Sequence, residues 1–216
     1  LLAKVVPDYP PFGKRVLADA GWFAMLRRDN VTLETTAIAR IEPDGIRLAD
    51  GRFIAVDTIV LATGFQAGRM LWPMDIRGRG GRSIRETWGD DDPRAYLGIT
   101  VPDFPNLFVL YGPNTNLGHG GSAMFLAECQ VRYTLSCLRR MIGEGLAEVE
   151  CRQDVHDAYN RRIDAEFETL VWTHPSVKSW YKNARGRITT NQPWRLVDYW
   201  RMTHDFDPAE YRTVPA

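Results

Sequence analysis

Apolar positions recur along this chain with two different periods, and the changes of period mark its elements. From Arg15 to Arg28, Val16, Leu17, Ala20, Phe23, Ala24 and Leu26 fall at mostly helical spacing. Asp29-Asn30 supplies a stop, and the pattern predicts a core-facing helix. Short β-like runs follow over Val31 to Thr36, Ala39 to Glu42, Ile46 to Ala49 and Phe53 to Val56, punctuated by Pro43-Asp44-Gly45 and Asp50-Gly51. Turn dipeptides at that interval predict an antiparallel meander. Thr58, Ile59, Val60, Leu61 and Ala62 then run without polar alternation to Thr63 and Gly64, the pattern of a strand covered on both faces of a parallel sheet. Asn106 to Gly112 repeats that pattern. Two helical patterns lie beyond it. One spans Ser122 to Ile142, with Phe125, Val131, Leu135, Leu138 and Ile142 near one face and Gly143 and Gly145 to end it. The other spans Val155 to Val171, with a seam of Val155, Tyr159, Ile163, Phe167 and Leu170.

Together these elements predict an α/β fold. A helix, a strand, a small β-excursion and a further buried strand are how the second half of many dinucleotide-binding domains ends. From Gly64 the composition shifts to a loop rich in Gly, Arg and Asp that runs to Tyr96, and residues 62–68 are expected to cross from one domain to the next. The aromatic tail (Trp172, Trp180, Tyr181, Trp194, Tyr199, Trp200) is expected to cover a core or fill an interface. The 216 residues suffice for one large domain or two small ones. Lys and Arg number 27 and so do Asp and Glu, so no global field attracts nucleic acid or an acidic membrane. Cys129, Cys137 and Cys151 are an odd count without C-x-x-C spacing, which argues against a disulfide framework or a zinc site and for a reducing compartment. No run approaches the roughly 18 apolar residues that span a bilayer, and no apolar segment with a small-residue cleavage site opens the chain. A cytoplasmic location is expected. The first residue is Leu and the opening reads as mid-loop, so the chain is expected to be part of a longer one.

The strongest local signal for chemistry is strand, glycine-rich loop, helix: Leu107 to Tyr111, Gly118-His119-Gly120-Gly121, then Ser122. Free N–H groups and the helix dipole at such a junction attract negative charge, and glycines admit a flat or phosphorylated ligand close to the backbone. An anionic group near Gly121, Ser122, Ala123 and Met124 is the expectation, a plain helix cap after a flexible turn the alternative. The glycine loop is also similar to the oxyanion loop of some α/β-hydrolases, but no G-x-S-x-G elbow accompanies it. His119, His156, His174 and His204 are scattered without metal-ligand spacing. Asn30-Val31-Thr32 fits a glycosylation sequon, which the expected cytoplasmic location makes irrelevant. Lys14 and Arg15 stand at the start of the first predicted helix, where two cations oppose its dipole at a cost of about 0.3–1 kcal/mol. A bound phosphate or developing oxyanion would give them a reason, and a solvated basic pair is the alternative.

Taken in order, Pro10-Pro-Phe-Gly-Lys14-Arg15, Arg28-Asp-Asn-Val-Thr-Leu33, Asp57-Thr-Ile-Val-Leu-Ala-Thr-Gly-Phe65, Tyr96-Leu-Gly98, Phe104-Pro-Asn-Leu-Phe108, Gly112-Pro-Asn114 and Ser179-Trp180-Tyr181 resemble the C-terminal portion of flavin-dependent Baeyer–Villiger monooxygenases, within the flavin-containing monooxygenase group. The resemblance implies a partial two-dinucleotide-binding-domain flavoprotein with Rossmann-like FAD and NADPH domains and its N-terminal half missing. Residues 1–63 would be the end of the NADPH-binding domain with its β-meander, and residues 64–216 the end of the FAD-binding domain with a helical, aromatic-rich tail. Such enzymes reduce FAD with NADPH and insert one oxygen from O2 beside a ketone carbonyl, giving an ester or lactone. Carried over by position, Arg15 would be the catalytic arginine that steadies negative charge on the oxygenated flavin and helps place the nicotinamide. Lys14 would meet the NADPH 2′-phosphate, Thr63 and Gly64 would lie where the chain crosses between domains, Gly121 to Met124 would present N–H groups to the flavin, and Trp180 would touch the nicotinamide ribose. The two G-x-G-x-x-G fingerprints and the F-x-G-x-x-x-H-x-x-x-W signature do not occur in these residues. The resemblance places them before residue 1, so the fragment alone is expected to be inactive and the missing half to be its partner. Oxygenation of nitrogen or sulfur, or a non-catalytic binding remnant, are the alternative readings.

Overall fold

The computed structural model describes residues 1–118 and 120–216, and the part of the predicted glycine loop that is His119 lies outside the described residues. The chain forms two compact units: Leu1–Asp8 with Leu17–Phe65, and Tyr9–Val16 with Gln66–Ala216.

The smaller unit is built on a three-stranded antiparallel sheet of β1 (Ile38–Glu42), β2 (Gly45–Leu48) and β3 (Phe53–Ala55), with the short helices α1 (Leu2–Val5) and α2 (Trp22–Met25). The meander expected from the Pro43-Asp44-Gly45 and Asp50-Gly51 turns is present, without the strand expected over Val31 to Thr36. Gly45 is required by packing: a Cβ there would stand 2.1 Å from the Ile54 carbonyl oxygen. Glu42 accepts hydrogen bonds from Arg47 across the first hairpin and from Arg40 on its own strand, and these hold its part-buried carboxylate down to about 2.

Two expectations fail along residues 14–65. The helix predicted over Arg15 to Arg28 shrinks to α2, and Val16, Leu17, Trp22 and Phe23 are exposed while Leu26 is buried. Lys14 and Arg15 therefore begin no helix, and the dipole argument for a ligand at that point falls away. The run Thr58–Ala62 is neither a strand nor buried: Val60 is 84% exposed and Phe65 96%. An all-apolar strand needs pairing partners on both edges and cover on both faces, and no described residue pairs with it.

The larger unit carries the main core. Its elements are α3 (Ile84–Trp88), α4 (Ala123–Glu144), β4 (Leu146–Cys151), α5 (Gln153–Phe167), α6 (Leu196–Met202) and β5 (Tyr211–Pro215), with β4 and β5 antiparallel. Ser83 and Glu86 form a capping box that starts α3 inside the region expected to be loop. Helix α4 starts where the sequence predicted. Ser122 Oγ accepts from Phe125 N at 3.2 Å, and Gly145, in the left-handed region at φ 62°, ends the helix. Tyr133, Cys137, Tyr159, Ile163, Phe167, Trp172, Tyr181 and Ile188 form one buried cluster across α4, α5 and the tail. The seam expected on α5 is buried, but the face expected on α4 is not: Ile142 is 83% exposed, and Leu126, Cys129, Gln130, Tyr133 and Cys137 face inward instead. The second predicted parallel strand, Asn106–Gly112, is also absent. Asn106 and Tyr111 have positive φ, which breaks an extended run. Among the described residues the larger unit has one parallel contact, the bridge between Asn116 and Asn191.

Candidate functional site

The glycine loop of the larger unit, residues 112–122, is held from three sides. Underneath, the segment 188–192 runs parallel to it: Asn114 N donates to Thr189 O at 3.0 Å, Asn116 N to Thr190 O at 2.8 Å, and Gln192 N to Asn116 O at 2.8 Å. Side chains repeat the connection. Asn114 Nδ2 donates to Ile188 O at 2.8 Å, and Asn116 Nδ2 to Asn191 Oδ1 at 2.7 Å. Behind it, the buried Gln130 of α4 accepts from Tyr111 N at 2.7 Å and donates to Tyr199 Oη at 3.0 Å, while Tyr199 in turn donates to Leu97 O at 2.7 Å. A buried amide with both ends paired fixes the loop relative to α4 and α6, because leaving either end unpaired would cost about 1–3 kcal/mol.

The third side is the N-terminal segment Tyr9–Val16. Trp172 Nε1 donates to Phe12 O at 3.1 Å, and Arg15 Nη1 to Leu117 O at 3.2 Å. Gly13 has no room for a side chain, since a Cβ would lie 2.6 Å from Val177 Cγ2. These three contacts give the Pro10-to-Arg15 motif a physical purpose: they bring a guanidinium from about 100 positions upstream onto the loop that opens α4.

A cavity of about 270 Å³ opens beside this loop, lined by Leu117, Gly118, Gly120, Gly121, Gln192, Trp194, Arg195 and Leu196. Gly118 is a forced glycine, with a Cβ 2.3 Å from the Trp172 ring and 2.8 Å from Asn191 Nδ2. Gly120, at φ 49°, faces open space. Beneath the loop, burial pushes the Tyr181 phenol up, and the nearby charge of Arg15 partly offsets this. Arg187, which donates to Asp164 at 2.8 Å and to Asn114 Oδ1 at 3.3 Å, ties the same segment to α5, and burial presses its guanidinium value down. A larger and more open hollow of about 630 Å³ between α5 and β5 holds none of the residues singled out in the sequence.

The structure thus gathers some of the predicted residues and not others. Arg15 and Gly121 meet the same loop. Gly121, Ser122, Ala123 and Met124 lie exposed at the start of α4, with a Cβ on Gly121 barred by Leu196 at 2.5 Å. Lys14 points elsewhere, its ammonium 4.4 Å from the Tyr9 ring centroid. Trp180 is 48% exposed and stands edge-on to Tyr181 at 4.6 Å. Thr63 and Gly64 belong to the smaller unit and are exposed, Gly64 at φ 84°. Sequence reasoning missed Gln130, Asn116, Asn191 and Gln192, and met Asn114 only as part of the Gly112-Pro-Asn114 motif. The polar run Thr189-Thr190-Asn191-Gln192 inside an aromatic tail was the available signal.

A glycine loop leads into a 22-residue helix with an arginine docked on it, in a chain of mixed helices and sheets. No family model matches the chain. It is 49% identical over 215 residues to an uncharacterized monooxygenase, y4iD, of Sinorhizobium fredii, covering all of this chain and 32% of that protein. It is 40% identical over 200 residues to the FAD-binding monooxygenase ktnD of Aspergillus niger (90% and 32% covered) and 35% identical over 212 residues to a Baeyer-Villiger monooxygenase of Pseudomonas aeruginosa (98% and 40%). Among solved structures, a steroid monooxygenase bound to NADP superposes with a TM-score of 0.82 at 27% identity, over 97% of this chain and 40% of that one. OTEMO in complex with FAD and NADP gives 0.84 at 25%, over 96% and 39%. The chain's relatives are monooxygenases, Baeyer–Villiger monooxygenases among them, and it corresponds to a part of such a protein, as its motifs implied. It spans about a third to two fifths of the length of these relatives.

Proposed function

We propose that the protein to which this chain belongs is an FAD- and NADPH-dependent monooxygenase that inserts one oxygen from O2 beside a ketone carbonyl to give an ester or lactone. Arg15 carries the reading: a cation from a separate segment is held by the Leu117 carbonyl against a loop whose similar proteins include one solved with FAD and NADP. The residues fit a flavin. Gly120 leaves open space, the Gln192 amide has no partner among the described residues, and the first N–H groups of α4 lie exposed at the loop's end. FAD, when bound, supplies the electrons and the oxygen-carrying ring. Arg15 then holds a fixed positive charge where negative charge gathers, and the backbone donors of Gly121 to Met124 add to it without reorganising. In this reading residues 64–216 serve FAD and residues 1–63 serve NADPH, in Rossmann-like domains completed by residues outside this chain. Lys14 turns from Tyr9 toward the 2′-phosphate, Trp180 meets the nicotinamide ribose, and Thr63 and Gly64 contribute backbone near the cofactors.

The test is Arg15→Ala in the protein that carries this chain, assayed with a ketone, NADPH and O2. Loss of ester by at least about 100-fold with NADPH oxidation retained is expected, the size seen when one stabilising donor is removed from a developing oxyanion. Ester formation that survives Arg15→Ala removes the role assigned to Arg15. Oxygenation of amines or sulfides with no ester from any ketone removes the Baeyer–Villiger assignment itself.

A further inference from the structure

Gln192 is 3% exposed, and neither its amide oxygen nor its amide nitrogen has a hydrogen-bond partner among the described residues. This is unusual for a buried carboxamide, because an unpaired buried polar group costs about 1–3 kcal/mol and most are paired. Its backbone N–H is engaged, since Gln192 N donates to Asn116 O at 2.8 Å. The neighbouring Asn191 differs at its oxygen: Oδ1 accepts from Asn116 Nδ2, while Nδ2, also without a hydrogen-bond partner among the described residues, abuts the site where a Gly118 side chain would stand. Asn191 secures the loop, and Gln192 does not. Gln192 instead lines the 270 Å³ cavity with Gly118, Gly120 and Gly121 and the apolar Leu117, Trp194 and Leu196.

We infer that Gln192 is a ligand-positioning residue of this cavity, which receives a planar amide or imide edge offering an acceptor and a donor side by side. A carboxamide is self-complementary to such an edge: Nε2 donates to the ligand's carbonyl oxygen while Oε1 accepts from its N–H. Glycines on one wall let the flat group approach the backbone, and Trp194 and Leu196 cover its apolar body. A simple ketone would satisfy only the donor and leave the buried Oε1 idle, so the pair selects an amide-bearing ring over the ketone substrate. Two groups of the proposed cofactors share this chemistry, the flavin imide edge and the nicotinamide carboxamide. The inference rests on the cofactor reading above.

The experiment uses Gln192→Leu, which keeps the volume and removes both polar atoms, and Gln192→Glu, which keeps the shape and removes the donor. Both are made in the protein that carries this chain. Equilibrium titrations with FAD, followed by flavin fluorescence, and with NADP+, followed by calorimetry, are compared with the unmodified protein, and thermal melting without cofactor monitors the fold. Weakening by roughly 3- to 10-fold for one cofactor in both variants, with the other unchanged, is expected from loss of one such pair, and the affected cofactor identifies the source of the edge. The melting temperature of Gln192→Leu without cofactor should be unchanged or raised, because removing an unpaired buried amide relieves a cost. Unchanged affinity for both cofactors, or a fall in melting temperature that accounts for the weakening, overturns the role of Gln192. An unmodified protein that binds neither FAD nor NADP+ overturns the cofactor reading itself, which separates the two failures.

Discussion

Helices α4 and α5 are both amphipathic, both long, and both packed into the core of the larger unit, yet they bury themselves differently. Along α5 the inward residues Tyr159, Ile163 and Phe167 form one apolar seam at i, i+4 spacing, with the polar His156 and Asn160 buried beside it. Helix α4 has apolar residues on two faces. Leu126, Cys129, Tyr133 and Cys137 go in together with the polar Gln130, while Val131, Leu135, Leu138 and Ile142 stay out. Hydrophobicity alone does not decide between those faces. The buried one carries groups with specific partners: Tyr133 Oη lies 2.9 Å from Tyr211 Oη, and Gln130 joins the Tyr111 backbone to Tyr199. Each of these pairings holds an element that shapes the glycine loop or the sheet, so the face that can pair is the face that is buried. The single apolar stripe of α5 leaves burial one face to choose, whereas on α4, which has two, the buried face is the one that also carries the polar pairings.

The sharpest way to break this contrast is to shorten one residue on each stripe. Ile163→Ala, at a position 1% exposed, is expected to destabilise the protein by about 3 kcal/mol, whereas Ile142→Ala should change it by no more than about 0.5 kcal/mol. Urea denaturation of the two variants gives the comparison, and equal losses would mean that the outward stripe of α4 is covered. A smaller effect concerns how the helices start. Ser122 caps α4 through its hydroxyl, while Arg152 at the same position of α5 makes no side-chain cap. Ser122→Ala should therefore cost about 1 kcal/mol and loosen the loop end of α4 first, as read by amide exchange at residues 123–126. Uniform loosening of both helices would contradict it.

The smallest expected effect is one of charge. Asp154 sits in the first turn of α5, and its hydrogen bonds from Arg152 hold its exposed carboxyl below the usual 3.8. A carboxylate lowered on folding stabilises above its ordinary value and stops doing so as the pH falls through its folded one. An NMR titration should place the Asp154 midpoint below 3.8 and move it back up in Arg152→Ala. The first turn of α4 contains no acid and should show no matching transition.

Much of this molecule can be read along the chain, because what was legible depends on neighbours a few residues apart. Both long helices, the Ser122 start, the glycine that ends α4 and the hairpins of the smaller unit follow from period, caps and turn dipeptides. The order of short motifs carried the family, since seven weak matches in sequence are jointly specific. The site was half legible. The glycine loop and Arg15 stood out by residue type, but Asn191 and Gln192 look like an ordinary polar run until segment 188–192 is laid beneath residues 114–116. Lys14 shows the converse. Its adjacency to Arg15 suggested a shared role, whereas Arg15 goes to Leu117 and Lys14 to the Tyr9 ring.

The sequence by itself determined where α4 begins and ends, because its serine cap, its periodicity and its terminal glycine are local. It also determined the kinship of the chain, because motif order survives without any contact being known. Only the tertiary structure decided three other matters. Thr58–Ala62 has the composition of a central strand, yet a strand is a property of a pair, and no described residue pairs with it. The outward turn of Leu135 and Ile142 follows from what Gln130 and Tyr133 reach on the opposite face. The meeting of Arg15 with Leu117 spans about 100 residues of chain, a distance over which no sequence period operates and only packing selects partners.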